Sequence, residues 1–295
     1  MLVKTFGSAV YGISATTVTV ETNINPGVNF LMVGLPDSAV KESQQRIAAS
    51  LKNNGYKIPG KSIVINMAPA DIRKEGSAYD LTIAIGILAA SEQILPEKVG
   101  DYIIMGELSL DGGLQPIKGV LPIAIQAKIE KFKGIILPKQ NANEAGIVAG
   151  LEVYGVDNIK EVIDFFNGER QLEQTIINTE DEFFSKLNNT EFDFSDVKGQ
   201  ENIKRALEIA ASGGHNVILI GPPGAGKTML AKRLPTILPP MNLHEALETT
   251  KIHSVAGKMG KNTGLVSIRP FRSPHHTISD VALSQSVKPL WLNIA

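Results

Sequence analysis

The sequence predicts an α/β protein built from two modules, and three patterns predict it. Apolar and polar residues alternate through much of the chain as far as Ile65, as strands require. From there to Asn167, helical periodicity and short apolar runs take turns. Farther on, Val217-Ile218-Leu219-Ile220 runs into a glycine-rich loop and a helical stretch. At 295 residues the chain exceeds one ordinary domain and suits two, each able to bury its own core.

The elements follow in order. Residues 17–22 and 29–34 read as strands joined by Gly, Pro and Asn turns. Asp37 offers a helix cap, and Val40, Ile47, Ala48 and Leu51 recur at helical spacing until Asn53-Asn54-Gly55 stops them. A strand is expected at 62–66, and the mixed charges of Asp71-Ile72-Arg73-Lys74-Glu75 read as a solvated loop. Residues 79–91 are apolar nearly all round, which suits a helix buried on most sides. Then come a strand at 103–106, a Gly112-Gly113 turn, a helix over 120–131 and a strand at 134–137. Segments 144–149, 153–156 and 159–167 complete a first module spanning 1–168. The polar, acidic stretch 169–190 reads as a connection, and 191–295 as the second module, with a helix over 203–211.

Bulk composition excludes several classes. Basic and acidic side chains nearly cancel, 29 against 30, so no global field announces a nucleic acid or a membrane. The chain has no cysteine, which removes disulfide scaffolds and thiolate metal sites and fits the cytoplasm. The start, Met1-Leu2-Val3-Lys4-Thr5-Phe6, lacks the pattern of a signal peptide, and no apolar run reaches membrane-spanning length, so a soluble protein is expected.

The chemistry concentrates at Gly221-Pro222-Pro223-Gly224-Ala225-Gly226-Lys227-Thr228, a complete G-x-x-x-x-G-K-[ST] loop. Its glycines let backbone N–H groups turn inward around phosphates without Cβ atoms in the way. Lys227 brings a positive charge to the outer phosphates, and Thr228 is placed to offer its hydroxyl to Mg²⁺. Met229 continues into the helix, whose N-terminal end favours anions. The sequence therefore predicts a site for a nucleoside triphosphate with Mg²⁺. Arg269, Arg272, His275 and His276 form a basic stretch that suits DNA phosphates or bases. As neighbours in an extended segment, His275 and His276 point to opposite faces and are poorly placed to share a metal ion.

Taken together, Asp196-Val197-Lys198-Gly199-Gln200, Gly213-Gly214-His215-Asn216, the phosphate loop, and Arg269-Pro270-Phe271-Arg272-Ser273-Pro274-His275-His276-Thr277 resemble the ComM/YifB group of magnesium-chelatase-like AAA+ proteins. The resemblance runs from residue 1 to about Leu283 and makes the first module similar to a Lon-protease-like α+β domain. It implies an ATP-binding AAA+ ATPase that forms a hexameric ring and, in better-known members, a helicase for branch migration during competence. The family's Asp-Glu strand, polar sensor and arginine finger do not follow Thr228 here, and the tail after Leu283 looks like a shifted frame or an early stop. The expectation is an incomplete AAA+ α/β domain that binds ATP without hydrolysing it, leaving its phosphate-loop strand with an unpaired edge and exposed apolar surface.

Two other readings compete. A Lon-type peptidase needs a Ser activated by a Lys. Against the patterns G-P-S-A-G and P-I-G-G-L-K, Ala78 and Leu121 stand where the nucleophile and base belong, leaving only a displaced pair, Ser77 and Lys118. A non-enzymatic interaction module is the other alternative. Metal insertion into a tetrapyrrole, by analogy with the chelatase, finds no porphyrin site in the sequence.

Overall fold

A computed structural model describes residues 1–186, 192–260 and 263–271. The chain divides into two units, Met1–Glu182 with Leu247–Leu265, and Phe183–Ala246 with the residues from Val266 on. This differs from the expected division in two places. Residues 169–182 and 247–265 both fold with the first unit.

In the first unit, β1 (Leu2–Tyr11) and β2 (Ser14–Asn25) form a hairpin in register from Leu2↔Asn23 to Tyr11↔Ser14. The short strand β3 (Phe30–Val33) leads into helix α1 (Ser38–Asn53), whose first turn is capped by the Asp37 carboxylate accepting from the Val40 N–H at 2.8 Å. Strand β4 (Ser62–Ala68) runs antiparallel to β2 and parallel to β3. Helix α2 (Asp80–Ala90) is followed by β5 (Tyr102–Ile104), the ribbon β6 (Glu107–Leu108) and β7 (Leu114–Gln115), and helix α3 (Val120–Ile129). Strand β8 (Gly134–Pro138), helix α4 (Ala142–Gly146), strand β9 (Glu152–Val156) and helix α5 (Ile159–Phe166) complete the α/β part. The seven-stranded sheet has the order β3-β4-β2-β1-β5-β8-β9.

Helix α2 is buried at every position, as its apolar circumference demands. It packs on β1 and β2. Gly86 permits that approach, because a Cβ there would come within 2.7 Å of the Thr22 hydroxyl oxygen. At its first turn the fully buried Asp80 receives two hydrogen bonds from Arg46 of α1, at 2.6 and 2.9 Å, and one from the Leu108 N–H at 3.2 Å. Burial raises the Asp80 carboxyl above the ordinary range, and the Arg46 guanidinium pulls it back toward ionisation.

The charge run 71–75 is solvated only in part. Arg73 and Glu75 pair at the surface, but Lys74 is fully buried and donates its ammonium to the carbonyls of Gly34 and Pro69. Those carbonyls need a donor once covered, and a lysine stem supplies one from a distance. Burial pushes the Lys74 ammonium below its usual range.

Residues 169–177 also depart from the expected connection. Tyr154 and Gln174 form an antiparallel bridge, and the Thr175 N–H donates to the Val153 carbonyl at 2.8 Å, so this stretch covers the outer edge of β9. Helix α6 (Thr179–Lys186) follows.

The second unit contains α7 (Glu201–Gly213), α8 (Lys227–Arg233) and the start of α9 (Leu243–Val255). Among its described residues there is no strand. Its small core gathers Phe194, Val197, Leu207, Leu230 and Leu234.

Replacing Arg46 with Met should destabilise the first unit by about 3 kcal/mol at neutral pH, because Asp80 is left buried without its partner. With its native pKa raised further above 3.8, Asp80 folds best when protonated, so the deficit should shrink as pH falls toward that value. Urea unfolding of both chains between pH 4 and pH 7 checks this; a deficit that grows on acidification would contradict it.

Candidate nucleotide site

The stretch expected as the phosphate-loop strand, 217–220, alternates in burial as a strand would but has no ladder partner among the described residues. Val217 and Leu219 pack on the small core, whereas Ile218 and Ile220 are 79% and 93% exposed. Without a ladder partner among the described residues, two of the run's four apolar side chains stand in water.

The loop takes its shape from local chemistry instead. Gly224 and Gly226 both sit at φ +80°, where an L side chain is strained, and a Cβ at Gly224 would meet no atom within 4 Å. Gly226 opens α8, with no side chain capping the helix. The Leu230 N–H closes the first turn onto the Gly226 carbonyl at 3.0 Å. Lys227 folds back on its own loop, donating to the carbonyls of Gly221 at 2.8 Å and Pro222 at 2.9 Å. The loop from Gly221 to Thr228 thus has the glycine conformations and the cation that a polyphosphate needs. Thr228 follows Lys227 in the first turn of α8, and Met229 lies beside the loop with its methyl facing Gly226.

Gln200 was not singled out as a site residue by the sequence. Its own φ is +58°, and its side-chain amide lies close to Gly226. Its signal in the sequence was its place in Asp196-Val197-Lys198-Gly199-Gln200, one of the strings that carry the family resemblance.

Arg269 donates to the Pro239 carbonyl at 2.9 Å and to Glu245 at 3.1 Å, clipping two parts of the second unit together. Arg272, His275 and His276 lie outside the described residues. Among the described residues, no group of three or more His, Asp and Glu side chains gathers as a metal site, and no helix is long and apolar enough to cross a membrane.

The displaced peptidase pair does not assemble. The Ser77 hydroxyl donates to Glu107, and Lys118 makes no hydrogen bond or ion pair among the described residues. In the expected nucleophile position, the Ala78 carbonyl accepts from the Gly106 N–H at 2.8 Å. In the expected base position, Leu121 is buried and its N–H donates to Glu144 at 2.9 Å.

Two family models match separate stretches of the chain. Residues 20–141 match the family described as "Subunit ChlI of Mg-chelatase", and residues 193–289 match "Magnesium chelatase, subunit ChlI". Similar proteins include the uncharacterized protein YifB of Escherichia coli, 44% identical over 276 residues, covering 93% of this chain and 53% of that one. Competence protein ComM of Haemophilus influenzae is 40% identical over 279 residues, covering 94% and 54%.

The chain belongs to the ComM/YifB magnesium-chelatase-like family. It spans about half the length of the curated relatives it matches. A region similar to Lon proteases precedes the AAA-type region; Lon protease 2 of Bacillus subtilis is 31% identical over 129 residues, 43% of this chain and 23% of that protein.

Replacing Ile218 and Ile220 together with Thr should lower the binding of a dye such as ANS and slow aggregation, because both side chains face water. The thermal unfolding of the first unit should stay where it was. Unchanged dye fluorescence would show that these side chains are covered in solution.

Proposed function

We propose that this chain binds Mg·ATP in the loop from Gly221 to Met229 and holds it without hydrolysing it. The observation that carries the reading is the loop itself, with Gly224 and Gly226 in left-handed conformations and the Lys227 ammonium seated on loop carbonyls. Binding exchanges those carbonyls for phosphate oxygens, a charge-assisted contact in place of a neutral one. Backbone N–H groups from Gly224 to Thr228 would cradle the phosphates, and the Thr228 hydroxyl would hold Mg²⁺. The metal, when bound, neutralises charge between the outer phosphates. Hydrolysis would further need an acidic strand end and groups that position water.

In this reading the longer members act as hexameric ATPases on DNA, and the stretch holding Arg269, Arg272, His275 and His276 faces that polyanion. Family membership and the name of the Haemophilus relative, a competence protein, support it. The place of action is the cytoplasm. The first unit serves as a scaffold rather than a peptidase, since Leu121 and Ala78 occupy the two catalytic positions.

Titration of a fluorescent ATP analogue with Mg²⁺ tests the reading, with a duplex DNA anisotropy assay beside it. Lys227→Ala should weaken nucleotide binding at least about tenfold, the loss expected for one charge-assisted contact. Equal affinity in both chains would refute the nucleotide assignment, and DNA affinity that does not fall with salt would refute the DNA contact.

A further inference from the structure

The two ends of the seven-stranded sheet are finished differently. At β9 the outer edge is covered, because Gln174 bridges Tyr154 and the Thr175 N–H donates to the Val153 carbonyl. At the other end lies β3, and among the described residues no strand runs along its outer edge. An open strand edge is a template for another strand, so proteins that stay single guard it with charge, proline or a bulge. Strand β3 carries none of these. From Thr22 to Pro36 the chain has no charged residue, and Pro26 and Pro36 stand outside Phe30–Val33. The ladder with β4 runs unbroken from Phe30↔Ile63 to Val33↔Asn66.

That register fixes which backbone groups are free. The Ile63 N–H, opposite Phe30, donates to the Asn29 carbonyl at 2.7 Å. In a parallel ladder a residue bonds to the two neighbours of the one opposite it, so alternate residues of a strand face a given partner. Leu31 and Val33 therefore turn their N–H and C=O groups toward β4, and Phe30 and Met32 turn theirs outward. Side chains alternate as well. Phe30 and Met32 pack against the core, whereas Leu31 and Val33 are exposed, with Val28 and Leu35 exposed on either side.

We propose that β3 pairs antiparallel with β3 of a second copy of this chain, about a two-fold axis at Leu31. Phe30 of each copy then lies opposite Met32 of the other. These are the residues whose N–H and C=O groups point outward, so each pair exchanges both backbone hydrogen bonds. Leu31 meets its own copy across the axis as a pair without backbone bonds, where Cα atoms approach to about 4.5 Å. A symmetric contact brings residues beside their own copies, and in an uncharged run no like charges meet there. Two outward residues set evenly about one exposed leucine favour a second copy over a foreign strand. An edge of 4 residues falls short of a standard interface, so the dimer is weak and dissociates in the micromolar range.

The chain has no cysteine, so single substitutions report the pairing directly. Under mild oxidation of the full chain, Leu31→Cys should form a disulfide dimer and Val33→Cys at least about tenfold less. In the proposed register the Val33 Cα atoms stand more than about 12 Å apart, and a disulfide spans under about 7 Å. In sedimentation from about 5 to 500 μM, the unsubstituted chain should shift toward dimer with or without Mg·ATP. Leu31→Lys should weaken that association at least about tenfold, since it sets two ammonium groups on the axis. Because Leu31 is exposed, both substitutions there leave the core intact. In residue-resolved hydrogen exchange, the Phe30 and Met32 amides should gain protection with concentration while those of Leu31 and Val33 do not. Equal disulfide yields at 31 and 33 would mean unspecific association and overturn the proposal. A chain that stays monomeric, with Leu31→Cys not cross-linked, would overturn it as well. Protection of Phe30 and Met32 only on adding a peptide of alternating Thr and Val would overturn the second copy in favour of a foreign strand.

Discussion

One helix without a solvent face sets the terms for the first unit. Every residue of α2 is covered, so strands, helices and turns must close around it on all sides. Its contact with the sheet is close, through Gly86 against the Thr22 side chain and through the Thr5 hydroxyl donating to the Thr82 carbonyl at 3.1 Å. Its first turn then buries a carboxylate, and the Arg46 fork makes that burial tolerable. The same logic recurs at Lys74, where a buried cation answers two backbone carbonyls, and at Glu144, where a buried carboxyl answers the N–H groups that open α3. Each of these three buried charged groups serves a backbone atom or an opposite charge.

The second unit shows what happens when that closure is incomplete. Its run at 217–220 packs Val217 and Leu219 on five core residues and turns Ile218 and Ile220 to water. The phosphate loop nevertheless keeps its shape, because two left-handed glycines and a lysine bonded to its own loop act over a few residues. A local motif can persist where the run before it has no ladder partner among the described residues.

Much of the fold was legible. The Asp37 cap, the all-apolar helix at α2 and the strands at β2, β4, β8 and β9 follow from periodicity and capping residues, which act within one or two turns of chain. The run at 217–220 has no ladder partner among the described residues, because a strand needs a neighbour and no local pattern supplies one. Lys74 was misread as solvated because charge predicts exposure only until two distant carbonyls require a donor. Residues 169–177 looked like a connection since their role, covering the edge of β9, depends on a strand elsewhere in the chain.

For the site, the sequence by itself determined the loop from Gly221 to Thr228, since its geometry arises from glycine conformations and one lysine within eight positions. It also determined that Leu121 and Ala78 leave the peptidase positions without chemistry. Only the tertiary structure decided that Gln200 lies beside the loop, that Arg269 is engaged by Glu245, and that 247–265 folds with the first unit. Those are contacts between residues far apart in the chain, and their free energy depends on packing and desolvation that no run of neighbours encodes.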